Sequence, residues 1–290
     1  MGTIDIIPKM VLGTAQFGMD YGIANVGGKP TKKEVFGILD LAWEKGVRRF
    51  DTAPGYGSEA LLGEFILANG SQDEAKVLTK IPSLGRAPGY QKSIRTSLES
   101  SLDDLGCSID VLFFHNPADS SLLLQDPHFF EYLLNEHSVS TLGVAVYEPQ
   151  EVEQLSGCQV ELAFQFPFNV LDRRFEQVSM PKSKRYARSI FLQGLLATQN
   201  ALRPDAPEEL FNLQNEYHNR LTDHHLDPIG YAVSFVTRNN FVDYFLFGVD
   251  TVSQLQDILD SEQYEQKDMD ILDKLAMNVN EQWCDPRTWN

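Results

Sequence analysis

The sequence predicts a closed barrel of eight parallel strands wrapped by helices, an α/β fold of the (β/α)8 TIM type in one domain. Three observations predict it. Short β-branched or aromatic runs alternate with longer amphipathic stretches along the whole 290 residues, which is the pattern of repeated strand–helix units. Most of the short runs are almost continuously apolar, as strands covered on both faces must be. An open doubly wound sheet would carry G-x-G-x-x-G after its first strand, and that place reads Gly13-Thr-Ala-Gln-Phe-Gly18, which lacks the spacing. No Ser-, Gly- or Pro-rich linker divides the chain. The barrel is expected over about 10–262, with a C-terminal helix and tail over about 268–290.

The first strand is the run 10–13. Thr31-Lys-Lys-Glu34 is a capping box, and Val35, Ile38, Leu39 and Ala42 then share one helical face. The second strand is 47–51 and its helix 58–69. The third is 77–80, followed by a helix over 90–105. The fourth is 111–115, with a helix over 127–136, and the fifth is 141–146, with a helix over 149–155. Strands six and seven are placed at 162–166 and 189–192. Helices over 207–223 and 228–238 lead to the eighth strand, 244–248, and a last helix runs over 252–262. Most of these helices follow Pro, Ser, Thr or Asp, as helix starts should.

Charge and cysteine usage bound the partners. There are 24 Lys+Arg against 41 Asp+Glu, a net charge of −17, which opposes a nucleic-acid surface or an anionic membrane. No apolar run approaches the roughly 18 residues of a membrane span. The N-terminus has no basic segment followed by a small-residue cleavage site. Cys107, Cys158 and Cys284 are odd in number and far apart, which fits a reducing cytosol, so a cytoplasmic location is expected.

In such barrels chemistry gathers at the C-terminal ends of strands. Asp51 follows strand two, Tyr56 lies in the next loop, Lys80 ends strand three and His115 ends strand four. Each alone reads as a turn former or a solvated strand end. Together they make a proton-transfer set: a phenol, an ammonium that lowers its pKa, a carboxylate that holds the ammonium, and a neutral imidazole that fixes a carbonyl oxygen. No His, Cys or carboxylate spacing suits a metal, so the reducing equivalent must come from an organic cofactor. Phe17, Tyr21, Tyr147, Phe168, Phe191 and Trp289 are candidate pocket walls, with Asn116 near the mouth. Asp172-Arg173-Arg174 reads first as a local ion pair, and Arg173 is also the candidate contact for an anionic substrate. Arg185 and Arg188 read as solvated.

These residues resemble the aldo-keto reductases, over about 10–259. Asp51, Tyr56, Lys80 and His115 fall where that family has its catalytic tetrad, within Asp51-Thr-Ala-Pro-Gly-Tyr-Gly-Ser-Glu59, Leu78-Thr-Lys80 and His115-Asn-Pro117. Leu12-Gly-Thr-Ala-Gln16, Gln165-Phe-Pro-Phe-Asn169 and Ser189-Ile-Phe-Leu-Gln-Gly-Leu-Leu196 match the family as well. The resemblance implies a carbonyl substrate, Tyr56 as general acid and NADPH as cofactor. It implies that Gly13, Thr14, Asp51, Gln165, Ser189, Phe191, Gln193, Gly194, Gly248, Gln254 and Asp257 hold that cofactor. Two departures stand out. Strand five reads Gly143-Val-Ala-Val146 where the family has Gly-Val-Ser-Asn, and residues 245–262 contain no Lys or Arg to meet a 2′-phosphate. NADH therefore stays open. So do a cofactor-binding regulatory or weakly active protein on the same fold, and a Schiff-base lyase using Lys80. The oligomeric state is not legible.

Overall fold

The computed structural model describes residues 5–85, 89–136, 139–180, 182–199 and 202–289. Eight strands, β1 (Met10–Gly13), β2 (Arg49–Asp51), β3 (Lys76–Ile81), β4 (Ile109–Phe114), β5 (Val139–Ala145), β6 (Leu162–Pro167), β7 (Lys184–Arg188) and β8 (Tyr244–Phe247), form a closed barrel in sequence order. Every pairing is parallel, and β1 closes the ring by placing Met10 beside Phe245 and Leu12 beside Phe247.

The outer layer is α1 (Lys32–Glu44), α2 (Glu59–Ala68), α3 (Tyr90–Leu105), α4 (Pro127–Glu136), α5 (Pro149–Glu153), α6 (Glu208–Asp223), α7 (Pro228–Thr237) and α8 (Val252–Leu259). Local chemistry sets their ends. Thr31 and Glu34 form the expected reciprocal cap of α1, with the Thr31 N–H donating to Glu34 Oε2 at 2.7 Å. The Asp227 carboxylate accepts the Gly230 N–H at 2.6 Å and starts α7. α1 buries Val35, Ile38, Leu39 and Ala42 against the barrel, the stripe its period predicts. Among the described residues no helix is long and apolar enough to cross a membrane.

Strand seven differs from the sequence expectation. It is Lys184-Arg-Tyr-Ala-Arg188, and the apolar run after it is a loop. Ser189, Leu192 and Gln193 have φ of 58°, 47° and 55°, left-handed values that no strand accommodates. Only Tyr186 and Ala187 of β7 are fully buried, so its hydrophobic signature is weak.

The barrel lumen is filled by Val11, Leu78, Val111, Phe113, Ala163, Tyr186 and Leu246. Phe113 meets the Tyr186 ring edge-on at 5.8 Å. Bulk on β4 and β7 demands its absence on β5: a Cβ on Gly143 would lie 2.5 Å from the Phe113 ring and 2.8 Å from the Ala163 carbonyl oxygen. Strand side chains repeat every second residue, so the next inward layer is two positions further along each strand. That layer is Gly13 above Val11, Lys80 above Leu78, His115 above Phe113, Gln165 above Ala163, Arg188 above Tyr186 and Gly248 above Leu246.

Gly143→Ala should therefore lower unfolding stability by about 1–3 kcal/mol, the usual cost of overpacking a core. Urea denaturation followed by circular dichroism measures it, and a change under 0.5 kcal/mol would mean the lumen is loosely filled.

Candidate active site

The inward layer forms the floor of a cavity of about 310 Å³ at the C-terminal mouth of the barrel. Asp51, Tyr56, Lys80 and His115 all line it. Lys80 is buried, and its Nζ donates to Asp51 Oδ2 at 2.7 Å and to the Thr52 carbonyl at 2.8 Å. The second Asp51 oxygen accepts from Gln165 Nε2 at 2.8 Å. Lys80 Nζ also lies 4.9 Å from the centre of the Tyr56 ring. His115 stands edge-on to that ring at 6.0 Å. Tyr56 ends a 3-10 turn, Pro54–Tyr56, against which the short helix Ala15–Gly18 packs. A Cβ on Gly18 would overlap the Tyr56 carbonyl, so the phenol's position depends on that glycine.

Burial and charge set the protonation states. Desolvation penalises the Lys80 ammonium, yet Asp51 and Tyr56 outweigh it, so the group stays charged with a pKa above its ordinary value. Such a lysine has no free lone pair, which argues against a Schiff-base role. Desolvation holds the Tyr56 phenol above its ordinary value, and the opposing pull of Lys80 does not overcome it. The phenol is therefore protonated in the free site, whereas the sequence reading expected a net lowering. Burial, then Lys80, push His115 down to about 4. Its imidazole is neutral at pH 7.

Of the residues expected to hold a cofactor, Gly13, Asp51, Gln165, Ser189, Phe191, Gln193, Gly194, Gly248, Gln254 and Asp257 line the cavity. Thr14 does not. It is buried behind the wall, where its N–H and hydroxyl both donate to the Asp51 carbonyl, at 2.9 and 3.0 Å. Residues 22–25 roof the cavity: the Ile23 N–H donates to Gln193 Oε1 at 3.1 Å, and Asn25 Nδ2 to Asp250 Oδ1 at 3.2 Å. A cavity edged by Gly13, Gly22, Gly194 and Gly248 lets a ligand approach the backbone closely, as a nucleotide cofactor requires. Two features fit a 2′-phosphate poorly. Asp250 lines the cavity, its carboxyl pushed up to about 6 by burial. Gln254 Oε1 is occupied by the Asp250 and Thr251 N–H groups, at 2.6 and 3.3 Å, as the cap of α8. Strand five offers Ala145 to the cavity, while Val146 is buried.

The expected wall is divided. Tyr21, Tyr147 and Phe191 line the cavity. Phe17 is buried in the main core, and Phe168 packs against Phe235 and Phe241 at 5.3 and 4.8 Å. Sequence does not distinguish a ring facing a cavity from one facing a helix. Asn116 caps the turn Pro117–Ser121 and donates to Ser83 at 3.1 Å. Trp289 donates its indole N–H to the Gln282 carbonyl at 3.1 Å. Arg173 is paired with Asp273 at 2.7 Å, and Arg174 with Asp172 and Glu148, both at 2.8 Å. Phe17, Asn116, Phe168, Arg173, Arg174 and Trp289 all lie outside the cavity lining. The residues that sequence reasoning missed are Arg188, which lines the cavity, and the tail's Arg287, which lies over the lining residue Tyr147 at 3.5 Å. The alternation Tyr186, Arg188 would have revealed the first, had β7 been placed correctly.

The model of the Aldo/keto reductase family matches residues 9–277. Norsolorinic acid reductase stcV of Emericella nidulans is 30% identical over 154 residues, 48% of this chain and 39% of that protein. D-threo-aldose 1-dehydrogenase of a Pseudomonas species is 33% identical over 137 residues, 36% of this chain and 41% of that protein. These matches thus span about two-fifths of the relatives' own lengths. The glycerol dehydrogenase AKR11B4 from Gluconobacter oxydans superimposes with a TM-score of 0.71 at 20% identity, covering 96% of this chain and 94% of that one. The aldo-keto reductase AKR11C1 from Bacillus halodurans, in its holo form, does so with 0.76 at 17%, covering 96% and 95%. At such identities the likeness concerns the fold.

The protonation state of His115 is directly measurable. A folded pKa near 4 against about 6.5 unfolded means that the folded protein binds fewer protons in that window, so this residue's stabilisation is lost as pH falls from 6.5 to 4. An NMR titration, with the resonance assigned by His115→Asn, should give a midpoint near 4. A midpoint above 6 would put an imidazolium in the cavity.

Proposed function

Since the chain belongs to the aldo/keto reductase family, we propose that it reduces an aldehyde or ketone with a nicotinamide dinucleotide, using Tyr56 as the acid. The observation that carries this reading is the buried Lys80, held between Asp51 and the Thr52 carbonyl beside the Tyr56 ring. The dinucleotide, when bound, supplies a hydride to the carbonyl carbon. Gln165 would hold its carboxamide, the loop from Ser189 to Gly194 its phosphates, and Gly248, Gln254 and Asp257 its adenosine end.

The chain's own residues handle the oxygen. Tyr56 stays protonated until negative charge develops on that oxygen, and its proton then moves there. Lys80 stabilises the resulting phenolate, and in a water-poor site this attraction is stronger than in bulk solvent. Asp51 keeps the ammonium in place. Neutral His115 donates a hydrogen bond to the same oxygen, fixing the carbonyl without competing for the proton. The names of the relatives, a reductase and an aldose dehydrogenase, support a carbonyl substrate and a sugar-derived one in particular. A second reading, a cofactor-binding protein of low activity, is favoured by the apolar Ala145 and Val146. Single-turnover hydride transfer separates the two: a cofactor that binds tightly but is not oxidised by any carbonyl supports the second.

Tyr56→Phe removes only the transferable proton, so turnover should fall by roughly 10²–10⁴ with cofactor affinity kept. Steady-state assay and fluorescence titration measure the two, and near wild-type turnover would remove Tyr56 from its role. With no cation in residues 245–262, preference for NADPH over NADH should stay within about tenfold, or about 1.4 kcal/mol. Gln254→Arg should raise affinity for NADPH and leave that for NADH alone. A wild-type preference of a thousandfold would place the phosphate on other residues.

A further inference from the structure

The inward layer contains two cations, and only one is neutralised. Lys80 is paired with Asp51 at 2.7 Å. Arg188 reaches the same cavity from β7, and among the described residues no carboxylate lies within ion-pairing distance of it. Its guanidinium lies over the Tyr147 ring, 4.1 Å from the ring centre, and one of its N–H groups donates to the Val146 carbonyl at 3.1 Å. Those contacts fix the plane of the group without cancelling its charge. The other arginines at this end of the barrel are matched: Arg173 with Asp273, Arg174 with Asp172 and Glu148, and Arg287 with Asp285. Arg188 faces the chemistry, since its charge acts on Tyr21, Tyr56 and His115. A partly buried, unpaired guanidinium is costly to keep, and its planar fork matches a carboxylate or phosphate. The net charge of −17 repels anions everywhere else.

We propose that Arg188 selects the substrate: the carbonyl compound reduced here carries its own anionic group, a carboxylate in the first instance, which pairs with the Arg188 guanidinium while the carbonyl faces Tyr56. This deepens the reductase reading and rests on it. It also moves the anion contact from Arg173, where the sequence put it, to a side chain the sequence left in solvent.

The test reads binding before turnover. Isothermal titration with butanoate and with its neutral isostere butanamide should give at least tenfold tighter binding of the anion to wild type. Arg188→Ala should erase the difference, and Arg188→Lys should restore part of it. In turnover with NADPH, 4-oxobutanoate should exceed butanal in kcat/KM by tenfold or more, mainly through KM, and Arg188→Ala should collapse that ratio. Glyceraldehyde 3-phosphate against glyceraldehyde, run in parallel, decides between phosphate and carboxylate. Unchanged ratios in Arg188→Ala overturn the proposal while leaving the reductase reading intact. If Arg188→Ala instead weakens NADPH binding tenfold and spares the ratios, the guanidinium serves the cofactor's phosphates and the proposal is overturned. Discrimination between butanoate and butanamide with no aldehyde reduced would sink the reductase reading and leave the anion site standing.

Discussion

The buried pair of Lys80 and Asp51 is the constraint around which the mouth of this barrel is arranged. Two charges withdrawn from water cost several kcal/mol each unless every hydrogen-bonding group is satisfied. Here the ammonium has the Asp51 carboxylate and the Thr52 carbonyl, and the carboxylate has Lys80 and Gln165. Satisfying them draws in three strands directly, β2, β3 and β6. Thr14, after β1, adds a fourth by holding the Asp51 backbone. Removing either charge would strand the other. The pair thus fixes both the ammonium beside Tyr56 and the local shape of the strand ends.

The same pair explains why His115 is neutral and Tyr56 protonated without any special device for either. Water is excluded to shelter the lysine, and that exclusion raises the phenol and lowers the imidazole. The two groups are pushed apart in acidity by one environment. A phenol that keeps its proton at rest and an imidazole that is neutral at pH 7 are suited to different tasks.

Much of this was legible in the sequence, and each exception has its own physical cause. Strong periodicity located α3 and α4 to the residue. The strand ends at Asp51 and Lys80 stood out because a polar residue after an apolar run is conspicuous. β7 was displaced because Lys184, Arg185 and Arg188 dilute its apolar pattern while the loop behind it, Ile190-Phe-Leu192, imitates a strand. That one displacement hid Arg188, since only the correct register shows it to be two residues above Tyr186. The aromatic wall divides: Tyr21, Tyr147 and Phe191 line the cavity, whereas Phe17 and Phe168 carry the same compositional cues but their rings found core neighbours. The ion pair at Asp172 was read correctly as local, although its further partner Glu148 lies on the loop after β5.

The seam between β1 and β8 sets the order in which this molecule can come into being. Met10 finds Phe245 and Leu12 finds Phe247 only after all eight strands of the barrel have been synthesised. Until then the nascent sheet carries two open edges, each a row of unpaired amides able to recruit a neighbouring chain. Closing so long a loop is slow compared with forming any adjacent strand–helix unit. Gly13 and Gly248 flank that seam and line the cavity, so the cavity is split between the first and last strands of the barrel. A nascent or truncated chain lacking β8 therefore cannot close the ring or complete the cavity. Its exposed edges make it the species a chaperone would need to hold.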